Sequence, residues 1–267
     1  MNFENICKEV IVLVKSTGNY IKSELEKRDE IDIRTKGLHN YVTRVDTTAE
    51  SRLVNGLLKI IPDSGFITEE GTNNTKGMIF NWVIDPLDGT TNFIHGLPPF
   101  AISVALMQDN EIVTGVIYEM GLDECFYAWK DGKAFLNGKE IKVTKAAAIN
   151  DSLIATGFPY QNYEYMDDFM QTVKYFMENS HGLRRLGSAA TDIAYVACGR
   201  FEGFYEYGLN PWDIAAGVII LKQAGGKVAD FRGGENYLFG REIIATNANV
   251  FDEFLAVINK IMVKEDN

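Results

Sequence analysis

Three short acidic segments carry the residues whose types and spacing suit catalysis. Asp85-Pro86-Leu87-Asp88-Gly89-Thr90-Thr91-Asn92 follows the apolar run Trp82-Val83-Ile84 and precedes a short helical stretch. Read locally, Asp85 ends a strand, and Pro86 stiffens a turn that returns Asp88 toward the same point. Gly89 and Thr90 then offer backbone N–H groups at a helix start, an arrangement that binds anions. Two carboxylates beside an anion site suggest metal-bridged phosphate. Glu69-Glu70-Gly71 ends another strand-like run, and Trp212-Asp213 opens a helical stretch over 214–224. If Glu69, Asp85, Asp88 and Asp213 converge, their charges repel, and hard divalent cations make the cluster tolerable. The three histidines are scattered and the three cysteines far apart. Oxygen ligands therefore point to Mg²⁺, with Mn²⁺ as a substitute, rather than zinc. Taken singly, each acid also has an ordinary role: Asp85 and Asp88 as turn residues, Asp213 as a helix N-cap, Glu69-Glu70 as solvated surface.

The elements that must position these residues fall into two styles. Phe3, Ile6, Val10, Leu13, Thr17, Ile21 and Leu25 recur near helical spacing. A second helix is expected over 48–61, with Thr47 and Glu50 as a capping box, ended by Pro62 and Gly65. Between Ala101 and Val143 the runs are short and β-rich. Asp109-Asn110, Asp131-Gly132 and Asn137-Gly138 punctuate them as hairpin turns, which predicts an antiparallel meander. From about Asn150 strand-like runs (153–155, 183–186, 201–205, 227–229 and 243–246) alternate with helical ones. The last helix shows Phe251, Phe254, Leu255, Ile258, Ile261 and Met262 on one face. The expected organisation is an α+β half over residues 1–145 carrying most of the acids, then an α/β half over 146–267 carrying Asp213.

Composition sets the outer limits. The 267 residues are 46% apolar, enough for a sizeable core. A net charge of −11 argues against a nucleic-acid binder, which needs clustered Lys and Arg. For an acidic chain, bound divalent metal is the simplest way to hold an anionic substrate. Cys7, Cys125 and Cys198 form no CxxC pair and read as buried thiols in a reducing compartment. Met1-Asn2-Phe3-Glu4-Asn5 lacks a signal-peptide pattern, and no apolar run approaches the roughly 18–20 residues of a membrane span. A cytoplasmic protein without membrane partners is expected.

Together the motifs resemble the inositol monophosphatase family. Its first signature is matched by Trp82-Val83-Ile84-Asp85-Pro86-Leu87-Asp88-Gly89-Thr90-Thr91-Asn92-Phe93, and its second by Trp212-Asp213-Ile214-Ala215-Ala216-Gly217 with Ala224-Gly225-Gly226 beyond. Gly65-Phe66-Ile67-Thr68-Glu69-Glu70-Gly71 matches its acidic strand end, and Val42-Thr43-Arg44-Val45-Asp46 its early motif. The resemblance implies a layered αβαβα sandwich and a Mg²⁺-dependent, lithium-sensitive phosphatase using two or three ions. It implies that Glu69, Asp85 and the Leu87 carbonyl hold one metal and that Asp85, Asp88 and Asp213 hold another. A third, weaker ion would sit near Glu69. Asp46 is expected to pair with the Thr90 hydroxyl and orient the attacking water, so Asp46, Glu69 and Thr90 count as catalytic. Asp46 also reads as a helix-start residue, and the two roles are compatible.

The same resemblance implies a small phosphate monoester as partner, bound by Asp88, Gly89, Thr90, Gly187, Ser188, Ala189 and Glu206. Myo-inositol 1-phosphate is the expected substrate. Fructose 1,6-bisphosphate, histidinol phosphate, nicotinamide dinucleotide phosphate and 3′-phosphoadenosine 5′-phosphate are the alternatives, and a non-catalytic binding protein is a more remote one. Asn210-Pro211 departs from the animal enzymes beside the pocket. Lys36, within 35–40, is a candidate to close over the metals or a surface lysine. Members are commonly homodimers, and a homodimer is expected here.

Overall fold

The computed structural model describes residues 1–27, 33–37, 40–159 and 163–263. Helix α1 (Phe3–Leu25) starts where the Asn2 side chain accepts the Asn5 backbone N–H, and it buries Ile6, Val10, Thr17 and Ile21 as the spacing predicts. Strands β1 (Ile33–Gly37) and β2 (Asn40–Thr43) form an antiparallel pair. The segment considered for closure around Lys36 includes residues 38 and 39, which lie outside the described residues.

Helix α2 (Arg44–Ile60) begins earlier than the sequence suggested. Thr47 is therefore inside the helix, its hydroxyl donating to the Arg44 carbonyl at 3.2 Å, and the expected capping box with Glu50 does not form. Glu50 is instead fully buried and reaches across to a loop twenty residues on.

A seven-stranded sheet follows: β3 (Gly65–Thr68), β4 (Phe80–Asp88), β5 (Ala101–Gln108), β6 (Glu111–Glu119), β7 (Glu124–Trp129), β8 (Ala134–Leu136) and β9 (Lys139–Glu140), in that spatial order. Only β3 and β4 pair parallel, so 101–140 is the antiparallel meander expected. Its turns hold Asp109, Asp131 and Asn137 at positive φ, the conformation that favours Asp, Asn and Gly there. The short helix α3 (Thr90–His95) sits between β4 and β5.

The second half supplies β10 (Leu153–Thr156), α4 (Met166–Asn179), β11 (Gly182–Arg184), α5 (Ala189–Ala197), β12 (Gly203–Tyr207), α6 (Pro211–Gln223), β13 (Gly226–Ala229), β14 (Glu242–Asn247) and α7 (Phe251–Met262). The five strands run in the order β11-β10-β12-β14-β13, with β10 parallel to both neighbours and the other pairings antiparallel.

Three apolar clusters define the layers. One joins α1 and α2 to the large sheet, through Val10, Leu53, Trp82 and Val104. A second holds α5 and α6 between the two sheets, and a third seats α4 and α7 on the outer face of the small sheet. The result is the αβαβα sandwich. Helix α6 shows how the middle layer is made: residues 214–221 are all buried, the composition of a helix covered on every side. Gly115 on β6 admits it closely, since a Cβ there would lie 2.6 Å from the Ala216 carbonyl.

Candidate active site

Asp85 and Asp88 are three residues apart, so a regular strand would point them to opposite faces. Strand β4 avoids this with a bulge. Asp85 pairs with Ser103 and Asp88 with Ala101, so two residues of β4 stand opposite Ile102 alone. The extra residue restores parity, and both carboxylates face the same side. This corrects the expectation of a Pro86 turn: the strand continues to Asp88, and the bulge does the aiming. The Leu87 backbone N–H closes the bulge onto Asp85 Oδ1 at 2.8 Å.

Gly89 follows at φ +90° and starts α3, and a Cβ there would lie 3.0 Å from the Pro99 carbonyl and 3.2 Å from that of Gly187. Glycine is required on both counts. Thr90 Oγ1 lies 3.1 Å from Asp46 Oδ1 and 3.0 Å from the Leu87 carbonyl oxygen. A hydroxyl has one proton, so these two acceptors compete for it. Asp46 is fully buried in the first turn of α2, where the helix N-terminus favours its charge. The expected Asp46–Thr90 pair is formed.

Glu69 lies just beyond β3, in a loop held by Glu50. The two Glu50 carboxylate oxygens accept the backbone N–H groups of Glu70 at 2.8 Å and Thr72 at 2.7 Å. Sequence reasoning missed this role. The carboxyl groups of Glu69 and Asp85 share a hydrogen bond.

Asp213 arrives from the other half. Asn210 caps α6, Pro211 opens it, and Asp213 Oδ2 accepts the Asn210 N–H at 2.7 Å in a capping box. The N-terminus of α6 is tied to the large sheet by Ser103, whose hydroxyl donates to the Trp212 carbonyl at 3.1 Å. Asp88 Oδ2 accepts from the Ser188 hydroxyl at 2.6 Å and the Ala190 N–H at 2.8 Å, which fastens β4 to the start of α5. Ser188 is itself the N-cap of α5. Asn92 completes the join, donating to the carbonyls of Pro99 and Leu186.

The electrostatics are those of crowded acids. Burial, then Glu69, Asp88 and Asp213 in turn, push the Asp85 carboxyl well above the usual carboxylate range. Burial raises Asp213 to about 7, and Asp88 adds to it. Burial raises Asp88 to about 6 against the opposing hydrogen bonds from Ser188 and the α5 backbone. Among the described residues, no three His, Cys, Asp or Glu side chains are drawn into a metal-holding cluster. The acids are instead engaged by protein donors and by each other. Their donor set is nonetheless all oxygen, buried at Asp85 and half-buried at Glu69, Asp88 and Asp213, and short of positive charge, which suits a hard divalent cation.

A cavity of about 770 Å³ opens over this site. Glu69, Asp88 and Asp213 line it, and so do Gly89 and Thr90. The expected substrate residues Gly187, Ser188, Ala189 and Glu206 line it as well. Asp85, Leu87 and Asp46 are buried behind that wall. Glu206, on β12, is only 8% exposed and lies against Gly157, and burial followed by Asp213 and Asp88 keeps its carboxyl well above the usual range.

The matching family description is the inositol monophosphatase family, over residues 3–262. The chain is 37% identical to the inositol-1-monophosphatase of Mesorhizobium japonicum, covering 91% of this chain and 92% of that protein. It is 40% identical to the Nus factor SuhB of Escherichia coli K12, covering 91% of each. The crystal structure of the extragenic suppressor protein suhB from Bartonella henselae superposes with a TM-score of 0.91 at 35% identity, over 95% of this chain and 98% of that one. With one fold, one family description spanning nearly every residue and relatives matched almost end to end, the chain belongs to the inositol monophosphatase family.

Proposed function

We propose that the protein is a Mg²⁺-dependent phosphatase that hydrolyses a small polyol phosphate monoester, with myo-inositol 1-phosphate as its substrate. The observation that carries this reading is the set of oxygen donors Glu69, Asp88 and Asp213 lining one cavity, with Asp85 buried behind them. Glu69, Asp85 and the Leu87 carbonyl would hold one ion, and Asp85, Asp88 and Asp213 a second. When bound, such ions supply countercharge and Lewis acidity for phosphoryl transfer.

The protein's own groups account for the rest. With the Thr90 hydroxyl proton given to Asp46 rather than to the Leu87 carbonyl, the Thr90 oxygen would accept a hydrogen bond from the attacking water and turn the water's lone pair toward phosphorus. Water attacks phosphorus in line, the bond from phosphorus to the ester oxygen breaks, and the proton shed by the water passes through solvent to the departing alkoxide, which leaves as the alcohol beside orthophosphate. The backbone N–H groups of Gly89 and Thr90 would meet charge on the transferring phosphoryl group. Glu206 would accept hydrogen bonds from substrate hydroxyls.

The test is phosphate release from myo-inositol 1-phosphate, fructose 1,6-bisphosphate, histidinol phosphate and p-nitrophenyl phosphate, with Mg²⁺ and with EDTA. The reading expects turnover with Mg²⁺, a preference for inositol 1-phosphate, inhibition by LiCl and near-complete loss in Asp85→Asn and Asp213→Asn. Full turnover in EDTA would overturn the metal chemistry. A second reading, a role without catalysis, is carried by the identity to proteins named Nus factor SuhB. Every acidic position of the motifs is intact, which favours catalysis. No turnover of any substrate in the panel would favour the second reading.

A further inference from the structure

Four residues beyond the Ser188 cap, α5 places a further acid against the same cavity. Asp192 is 1% exposed and lines the cavity with Glu206 and Arg185. Its Oδ1 is fully buried and has no hydrogen-bond partner. A buried acceptor with no partner costs free energy that an apolar residue would not, so the position is poorly explained by folding alone. No motif in the sequence analysis included this residue.

Its surroundings narrow the ligand chemistry. Glu206 is its strongest charged neighbour, followed by Asp88, and Arg185 opposes them. Ser188 and Thr191 flank it on α5, but their hydroxyls are bonded to Asp88 and to each other. A donor brought in by whatever fills the cavity would supply the partner that Oδ1 lacks, as would a turn of the neighbouring Arg185 side chain. Asp88 marks the phosphate end of that cavity in the proposed reaction, so Asp192 and Glu206 together face the remainder of the substrate. A polyol suits two neighbouring carboxyl groups, because each of its hydroxyls both donates and accepts.

We propose that Asp192 is a second polyol-reading residue, whose Oδ1 accepts a hydrogen bond from a substrate hydroxyl next to the one that Glu206 reads. This rests on the polyol phosphatase reading and adds a vicinal pair of hydroxyls to the substrate requirement. Water is the competing partner, since a polar site of this size can hold one. A water-filled role would give no selectivity between substrates.

The experiment compares Asp192→Asn and Asp192→Leu on myo-inositol 1-phosphate and on p-nitrophenyl phosphate, which lacks a diol. Asparagine keeps an acceptor in the same place, and leucine fills the space without one. The ratio of kcat/KM for the two substrates should fall roughly ten- to hundredfold in Asp192→Leu, mainly through KM on the inositol ester, and by only a few-fold in Asp192→Asn. Melting temperature should hold or rise in Asp192→Leu, because a buried carboxyl oxygen without a partner is removed. As a readout without turnover, myo-inositol should raise the melting temperature of the wild type and not of Asp192→Leu. Equal losses on both substrates with a lower melting temperature would show a structural role and overturn the proposal, as would an unchanged ratio. If Asp192→Leu fails to fold, Asp192→Ala takes its place in the same comparison. Wild-type turnover of p-nitrophenyl phosphate but not of the inositol ester would instead refute the substrate reading and this proposal with it, leaving the phosphatase reading standing.

Discussion

Gly157 gives the cleanest way to move Glu206 without touching it. Gly157 follows β10 directly, and β10 pairs with β12 so that Thr156 faces Tyr205. The next step along the ladder brings Gly157 against Glu206, whose carboxyl group lies over the glycine Cα. A Cβ at Gly157 would overlap the carboxyl carbon and both oxygens, far inside the contact distance of about 3.5–4.0 Å that carbon atoms prefer. Gly157 does not use the left-handed region, so alanine introduces no backbone strain of its own. Gly157→Ala therefore acts by displacing the Glu206 carboxyl. A hydrogen bond to a charged group contributes roughly 1.5–3 kcal/mol. At about 1.4 kcal/mol per decade, its loss lowers kcat/KM on inositol 1-phosphate by roughly 10- to 150-fold. Overpacking also costs about 1–3 kcal/mol of stability unless the carboxyl swings clear.

The assay is kcat/KM on inositol 1-phosphate and on p-nitrophenyl phosphate for Gly157→Ala, Glu206→Ala and the double variant. The two single variants should lose selectivity to a similar degree. The double variant should resemble Glu206→Ala alone, because the group that the methyl displaces is already gone. Its melting temperature should exceed that of Gly157→Ala for the same reason. Wild-type selectivity in Gly157→Ala, or additive losses in the double variant, would refute the argument that Glu206 reads the substrate from this position.

The Glu50 clamp predicts that Glu50→Ala raises the Mg²⁺ concentration needed for half-maximal activity, because the loop behind Glu69 loses the two bonds from Glu70 and Thr72 to Glu50; an unchanged Mg²⁺ titration would show that the loop holds itself. Thr90→Val should lower kcat by roughly 10²- to 10⁴-fold with little change in KM, whereas Thr90→Ser should restore most of it, since only the hydroxyl reaches Asp46. Burial raises the Cys125 thiol to about 12 and pushes Cys7 higher still. Both should resist a thiol reagent at neutral pH until the protein is denatured. With the folded pKa values raised, these thiols give stability that is complete below about pH 8.5 and is lost as pH rises through the folded values, because the unfolded chain ionises first. Denaturation midpoints should fall from about pH 9 upward, and less steeply in Cys125→Ala; the same slope in both would assign the loss to other groups.

What the sequence made legible follows from the range over which each signal acts. The meander between Ala101 and Val143 was readable because hairpin turns are local, and Asp131-Gly132 and Asn137-Gly138 announce positive φ by residue type. The acids of the 85–92 motif were readable because they are contiguous. The way they are aimed was not. A bulge in β4 exists only relative to the register of β5, so Pro86 suggested a turn where the structure has a continued strand. Glu50 failed for a related reason. Its spacing from Thr47 fits a local capping pattern, but its two acceptor oxygens are used by Glu70 and Thr72, twenty and more residues away. Gly157 and Asp192 carry no local signal at all. One is a glycine only because a carboxyl from another strand lies over it, and the other is an acid on a helix otherwise rich in alanine. Both meet the same cavity wall at Glu206. The motif thus encodes the end of the site that handles phosphate, where two carboxylates and a glycine must share one bulged strand end. The end that would distinguish substrates is assembled from single residues just beyond β10, on α5 and on β12, which can change one at a time while the phosphate end stays fixed. That separation gives a physical reason for one fold to serve several phosphate esters, and it locates the residues whose exchange would move this protein among them.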